Sequence, residues 1–337
     1  MKYLFLIILV GLFILATYGC SDTQEASQAP NFVLIITDDQ TFQAVQAFGH
    51  ADVSTPNLDQ LVADGATFTH AFNMGGWNGA ICTASRSMLI SGRSLWRANA
   101  FRQQWRAGEE LGKTWGKLLE AQGYSTYMTG KWHVDAPADS VFQEVKHVRP
   151  GMPPDSWAGA GMGKRFEDLA AGKYNELAEI MPVGYHRPLD EHDQSWSPSD
   201  TSFGGFWKGG QHWSEVVADD ALSFIDRAKT DDSPFFMYLA FNAPHDPRQA
   251  PAEYVDRFPI DEIELPDNWK SEHPYRDSIG CGPWLRDEAL APYPRTSYAI
   301  KKHLQEYYAI IAHLDDQIGR ILDALDAVDQ DTYVFFT

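Results

Sequence analysis

Four short groups of residues in this chain have the types and spacing to do chemistry. Cys82-Thr83-Ala84-Ser85-Arg86 sets a thiol four residues before a guanidinium with only small residues between, and Leu89-Ile90-Ser91-Gly92-Arg93 follows. At a loop-to-helix junction, a helix N-terminus and a nearby Arg attract anions and are expected to lower the thiol's pKa. A lone Cys is equally well a buried structural thiol. Asp38-Asp39 places two carboxylates side by side. Adjacent acids repel unless a cation or a set of donors holds them, and a hard cation such as Ca2+ takes oxygen ligands of this kind. Taken alone, the pair reads first as an acidic turn or a helix cap. Gly130-Lys131-Trp132-His133 and Pro244-His245-Asp246-Pro247-Arg248 supply fixed cations and two imidazoles able to move protons near neutral pH. Lys and His two residues apart are also common as surface or capping groups.

These groups need elements to position them. Residues 31–37, Asn-Phe-Val-Leu-Ile-Ile-Thr, form a continuous apolar run, as expected of a strand buried on both faces of a parallel sheet. Carboxylates at its carboxyl end lie where open α/β sheets bind ligands. Residues 124–128 predict a strand ending in the Lys131-His133 run, and residues 234–241 predict another delivering His245. Residues 67–72 alternate like a short strand, after which residues 73–79 form a loop leading Cys82 into a helix that starts near Thr83. Helices are expected over 56–64, 110–122, 214–229 (capped by Ser214) and 297–328, the last as one helix or two. Leu304, Tyr308, Ile311, Leu314, Ile318, Ile321, Leu322 and Leu325 make the apolar stripe of the last, with His313, Asp315 and Asp316 read as a solvated face. Residues 331–337 begin one more buried strand. Strands alternating with helices predict an α/β fold, a mostly parallel central sheet flanked by helices on both faces.

Between 136 and 212 periodicity is lost, and an insertion of that length is usually functional or disordered. Its aromatic content argues against disorder. Trp207, His212 and Trp213 offer stacking platforms and polar groups for sugar rings, or else pack the insertion onto the main domain; both remain open. Residues 251–294 read as Pro-rich surface wrapping.

At 337 residues, 44% hydrophobic and 22% charged, the chain reads as globular after its first twenty positions. Its net charge of −19 argues against nucleic acid as a partner, and any bound anion must be held by local Arg, Lys and metal. Three cysteines, Cys20, Cys82 and Cys281, form no disulfide framework and no zinc pattern. Residues 1–20 read as a signal peptide: one Lys, an apolar stretch too short to span a bilayer comfortably, then Thr17-Tyr18-Gly19-Cys20, which is similar to a bacterial lipobox. Residues 21–30 follow as a polar tether. Export to the periplasm or outer membrane, with membrane attachment only through a lipid on Cys20, is the expectation; free secretion is its rival.

The Cys82–Arg86 and Leu89–Arg93 segments together resemble the maturation signature of the type I sulfatases, in the alkaline phosphatase superfamily. Ala84 stands where Pro is commoner, and Ile90-Ser91 stands for Leu-Thr. Asp38-Asp39, the Gly-Lys-Trp-His run and the Pro-His element resemble the family's other motifs, in order, and the likeness spans residues 31–337. The resemblance implies that a maturation enzyme oxidises Cys82 to formylglycine, whose hydrate attacks sulfur beside one Ca2+ held by Asp38, Asp39 and position 82. It implies that Arg86 supports the hydrate, that Lys131 and His245 bind the sulfate, and that His133 accepts a proton. From the residues themselves, Trp207 and His212 are candidates for the substrate side, and Arg248 either touches substrate or only pairs with Asp246. Exported sulfatase action on a sulfated saccharide is the leading reading. A phosphonate monoester or phosphodiester hydrolase and a non-catalytic sulfoglycan-binding lipoprotein are the alternatives. By the same resemblance, a further metal-ligand pair, a Lys and a C-terminal subdomain are expected beyond Thr337.

Overall fold

The apolar run before the carboxylate pair forms strand β1, Asn31–Asp38. Among the described residues it is one of five strands in a parallel sheet, with β2 Ser125–Lys131, β3 Glu144–Arg149, β4 Phe235–Pro244 and β5 Thr332–Phe336 in the order β3-β2-β4-β1-β5. The computed structural model describes residues 29–337 apart from 50, 51, 78–80, 150, 152–160, 176, 183, 186, 187, 281–285 and 292. The expected signal peptide with Cys20, the tether as far as residue 28, and Cys281 lie outside the described residues.

Side chains alternate across a strand, and β1 and β4 use both faces. Val33, Ile35, Met237, Leu239 and Phe241 join one core; Leu34, Ile36, Phe236, Tyr238 and Ala240 join the other. The first core is closed by helix α1, Pro56–Asp64, helix α6, Trp213–Ala228, and helix α7, Ser297–Leu325. The second is closed by helix α2, Ile81–Ser91, helix α3, Leu95–Arg106, and helix α4, Trp115–Glu120, through Ile90, Trp105 and Trp115. Helix α5, Met162–Ala170, packs in a satellite cluster with Ile180 and Tyr185. Fully burying one such aliphatic or aromatic side chain contributes about 1.5–3 kcal/mol, against about 0.5–1.5 kcal/mol net for a ladder hydrogen bond. Two-sided burial therefore outweighs the ladder in fixing β1 and β4 at the centre.

The structure departs from the sequence expectations at several places. Residues 67–72 form no strand: no partner pairs with them among the described residues, and Phe68 and Phe72 are 85% and 84% exposed. Helix α2 starts at Ile81, slightly earlier than expected. The 110–122 helix splits into a 3-10 turn, Leu111–Lys113, and α4, because Thr114 is extended and its Oγ1 donates to Leu111 O at 2.6 Å. The supposedly irregular 136–212 passage contains β3 and α5. The charged residues of β3 suit an edge position, where solvent and long side chains guard the unpaired rim. Helix α6 is capped by His212, not Ser214: His212 Nδ1 accepts from Ser214 N at 3.1 Å. Residues 297–325 make one helix, not two.

The reading of His313 and Asp315 as solvated is also overturned, for each is only 1% exposed. Asp315 reaches from α7 to the N-terminus of α1. There its carboxylate accepts Asn57 N at 3.1 Å, Leu58 N at 2.9 Å and Asn57 Nδ2 at 2.9 Å. Those backbone groups are among the four that a helix cannot satisfy internally. Asp315→Ala is expected to leave them buried and unmet, lowering unfolding free energy by about 1–3 kcal/mol in urea titration.

Candidate active site

Because β2, β4 and β1 are adjacent and parallel, their carboxyl ends open on one edge of the sheet. That edge receives Lys131 from β2, His245 just after β4, and Asp38 and Asp39 from β1. Two irregularities aim these groups. The β1–β4 register shifts between Ile36 and Asp38, and the β2–β3 register shifts between Thr129 and Gly130; such bulges turn side chains out of the regular pleat. Asp39 and His133 have φ of 65° and 50°. Left-handed backbone at non-Gly residues costs on the order of 1–3 kcal/mol and gathers at functional sites. Gly130 has φ of 89°, and a Cβ there would meet Ala240 O at 1.9 Å, so only glycine lets β2 pass β4 just before Lys131. From the opposite side α2 presents Cys82 and Arg86, which one helical turn places on a common face.

Three charges meet almost without water. Asp38, Arg86 and Lys131 are 5%, 3% and 1% exposed. Lys131 Nζ donates to Asp38 Oδ2, Arg86 lies 3.6 Å from Asp38 Oδ1, and Arg86 also donates to Lys131 O at 2.7 Å. Burial would raise the Asp38 carboxyl, but Lys131, Arg86 and His245 together outweigh it and hold the pKa down to about 2. Asp39 is shifted the other way, raised by burial and by the charge of Asp38 despite His245 Nε2 at 3.5 Å from its Oδ2. His245 Nδ1 pairs with Asp246 O at 2.9 Å; a carbonyl only accepts, so Nδ1 carries the proton and Nε2 faces the carboxylates. One ligand atom each from Asp38, Cys82 and His245 lie within 4.8 Å of one another.

The expectation of a lowered thiol pKa is reversed. Burial, and then the charge of Asp38, push Cys82 above its ordinary value, with Lys131 and Arg86 too weak to compensate. The helix N-terminus is there, but burial and the β1 carboxylate outweigh it. His133 is also shifted: burial, then Lys131 and Arg86, bring it down to about 4. Its ring packs against Gly151, where a Cβ would come within 3.1 Å, and its buried Nδ1 has no hydrogen-bond partner. It is a neutral base at neutral pH, carrying an unused lone pair or proton beside two fixed cations.

The substrate-side candidates fare unevenly. His212 is 2% exposed with both ring nitrogens engaged, Nδ1 by Ser214 N and Nε2 by Gln249 O at 2.8 Å. Its role is to cap α6, which corrects the expectation that it meets substrate. Trp213 is 6% exposed beneath the Arg149 guanidinium, 4.0 Å from its ring centre. Half-buried Trp207 meets Trp213 edge-on at 4.6 Å. These rings fasten the 200–213 segment to the β3 edge, the packing alternative. Arg248 pairs with Asp246 at 3.2 Å and donates to His303 Nδ1.

Sequence reasoning missed three groups. Tyr307, on α7, accepts from Thr41 N at 2.9 Å and donates to Asp39 O at 3.1 Å, clamping the loop behind the carboxylate pair. The His303–Tyr307 spacing, one turn on a polar face, was the available signal. Gln40 and Asn242 adjoin the motifs in sequence, and Gln40 Oε1 and Nε2 and Asn242 Oδ1 are buried without hydrogen-bond partners. Carboxylates and orphaned amide oxygens at one set of strand ends are the donors a hard cation takes, so the residues present fit Ca2+.

Comparison with known proteins places this geometry. The family model described as Sulfatase matches residues 30–337. The chain is 25% identical to the ulvan-active sulfatase of Formosa agariphila, covering 94% of this chain and 51% of that protein. It is 26% identical to human iduronate 2-sulfatase, covering 94% and 56%. The chain thus spans little more than half the length of these relatives. The phosphonate monoester hydrolase of Agrobacterium radiobacter shares the fold with a TM-score of 0.56 at 21% identity, covering 91% of this chain and 62% of that one. A family match running from before β1 to the last strand, over the residues that build the cluster, means that the chain belongs to the sulfatase family.

Proposed function

We propose that this chain hydrolyses sulfate esters and that the ester is carried by a carbohydrate. The observation that carries the reading is the convergence of Cys82, Arg86, Asp38, Lys131, His133 and His245 on one strand edge, inside a family match over residues 30–337. Sulfate-ester cleavage needs a nucleophile, compensation of charge on the sulfonyl oxygens, and a proton for the leaving alcohol. Formylglycine, made from Cys82 by a separate oxidising enzyme, would supply the nucleophile, and Ca2+ on Asp38 and Asp39 would supply charge compensation. Lys131, buried and charged, holds a sulfonyl oxygen. Arg86 locks Lys131 through its backbone carbonyl and fixes Asp38. His133, neutral above about pH 4, accepts a proton. His245, its Nδ1–H held by Asp246 O, faces the ester oxygen through Nε2, which in the protonated ring donates its proton to the leaving alcohol as the S–O bond breaks. The names of the ulvan-active and iduronate 2-sulfatase relatives support the saccharide.

The test is sulfate release from a panel of sulfated saccharides by chain whose Cys82 peptide has the aldehyde mass. Sulfate is expected; faster turnover of a matched phosphonate monoester would instead favour the hydrolase alternative that the shared fold raises. His133→Ala should lower kcat by about 10²–10⁴-fold with KM little changed, the size of a lost proton-transfer group. Ca2+ at a hundred times its Kd should stabilise the folded chain by about 2.7 kcal/mol, seen as a rise in Tm. Asp38→Asn should abolish that rise; a rise surviving the substitution would rule out Asp38 as a ligand.

A further inference from the structure

A second feature, outside the catalytic cluster, bears on what the substrate looks like. A cavity of about 610 Å³ opens beside it, within the size range of small-ligand sites. Arg248, Lys270, His273, Arg295 and His303 line it, with Trp269 and Tyr275, and among the described residues no Asp or Glu does. In a chain with 46 acids and a net charge of −19, a lining that holds basic side chains and no acidic one is not what the surface average would give. Two of the cations are fixed in place: Arg248 by Asp246 and His303, and Arg295 by Glu288. Lys270 is exposed and makes no ion pair among the described residues. Trp269 Nε1 is buried without a hydrogen-bond partner.

The cavity is mechanically joined to the centre. Arg248 lies three residues beyond His245. His303 and Tyr307 stand one turn apart on α7, and Tyr307 holds Asp39 O. Four residues of helix span roughly 6 Å along its axis, so cavity wall and carboxylate pair are neighbours. A cation beside an aromatic face suits a pyranose ring carrying an anionic group: the ring lies on the indole, the anion meets the ammonium.

We propose that this cavity seats an acidic sugar unit, sulfated or uronic, adjoining the unit whose sulfate ester is hydrolysed, so that the substrate is a polyanionic oligosaccharide. The proposal rests on the sulfatase reading above and adds to it the charge of the neighbouring sugar.

The test is calorimetric titration of the full chain bearing Cys82→Ser, so that binding is read without turnover. Three oligosaccharides share one sulfated end unit; the adjoining unit carries a second sulfate in the first, a uronate carboxylate in the second, and no charge in the third. At least one acidic form is expected to bind ten times or more tighter than the neutral form, with whichever form gains identifying the acid. Lys270→Glu, at an exposed position that folding tolerates, is expected to erase the gain. Equal binding of all three, or a gain that Lys270→Glu leaves intact, overturns the proposal. Hydrolysis of an aryl sulfate by the aldehyde-bearing chain is measured in parallel. Its absence would count against the catalytic reading alone, since the titration needs no turnover and still decides the cavity.

Discussion

A single buried carboxylate, Asp38, is gripped by two cations that water barely reaches. Taking three charges out of water costs several kcal/mol for each, and only close pairing offsets it. Lys131 and Arg86 therefore cannot be placed without Asp38, nor Asp38 without them. The cluster also sets the sign of the pocket. Lys131 and Arg86 face Asp38, whose carboxyl pKa they hold down to about 2, while burial and Asp38 raise the Asp39 carboxyl and His133 is held uncharged. In a chain whose overall field repels anions, this edge is locally receptive to one. A hard cation bound by the carboxylates would shift the balance further the same way.

Holding such a cluster needs a frame that does not relax. The three strands that carry it are the most completely buried, and each departs from regularity only at its last residues. Asp39 and His133 sit in left-handed backbone that the surroundings must over-determine. Tyr307 does this for the loop after β1, anchoring it to α7. Helix α7 is in turn joined to α1 through Asp315. The polar residues of α7 are thus tie points between layers, and its apolar stripe supplies the adhesion.

This division explains which features were legible in the sequence. Strands β1 and β4 are covered on both faces, so they appear as unbroken apolar runs, and the chemistry-bearing residues follow them contiguously. β3 lies at the edge, where Glu144, Lys146 and Arg149 are tolerated, and its composition hides it. Residues 67–72 alternate as a strand does but find no neighbour to pair with, and local pattern carries no information about partners. His313 and Asp315 are spaced like a solvated stripe; what buries them is the arrival of α1 and α6, which a helical wheel cannot show. His212 was visible as a polar residue among aromatics, yet its use as a cap depends on where α6 begins.

Cys82 shows why the misread sign matters chemically. From the segment alone, the helix start and Arg86 argue for a thiolate. In the folded chain burial, and then Asp38 from β1, override both and push the thiol's pKa above its ordinary value. A thiol nucleophile works as its anion, and enzymes that use one surround it with positive charge. Here the side chain at position 82 instead shares its space with a carboxylate pair suited to a hard cation. That environment opposes a thiolate, while it suits an uncharged oxygen nucleophile activated beside a metal. The same carboxylates that disqualify the cysteine as encoded are those an oxygen-bearing replacement would need.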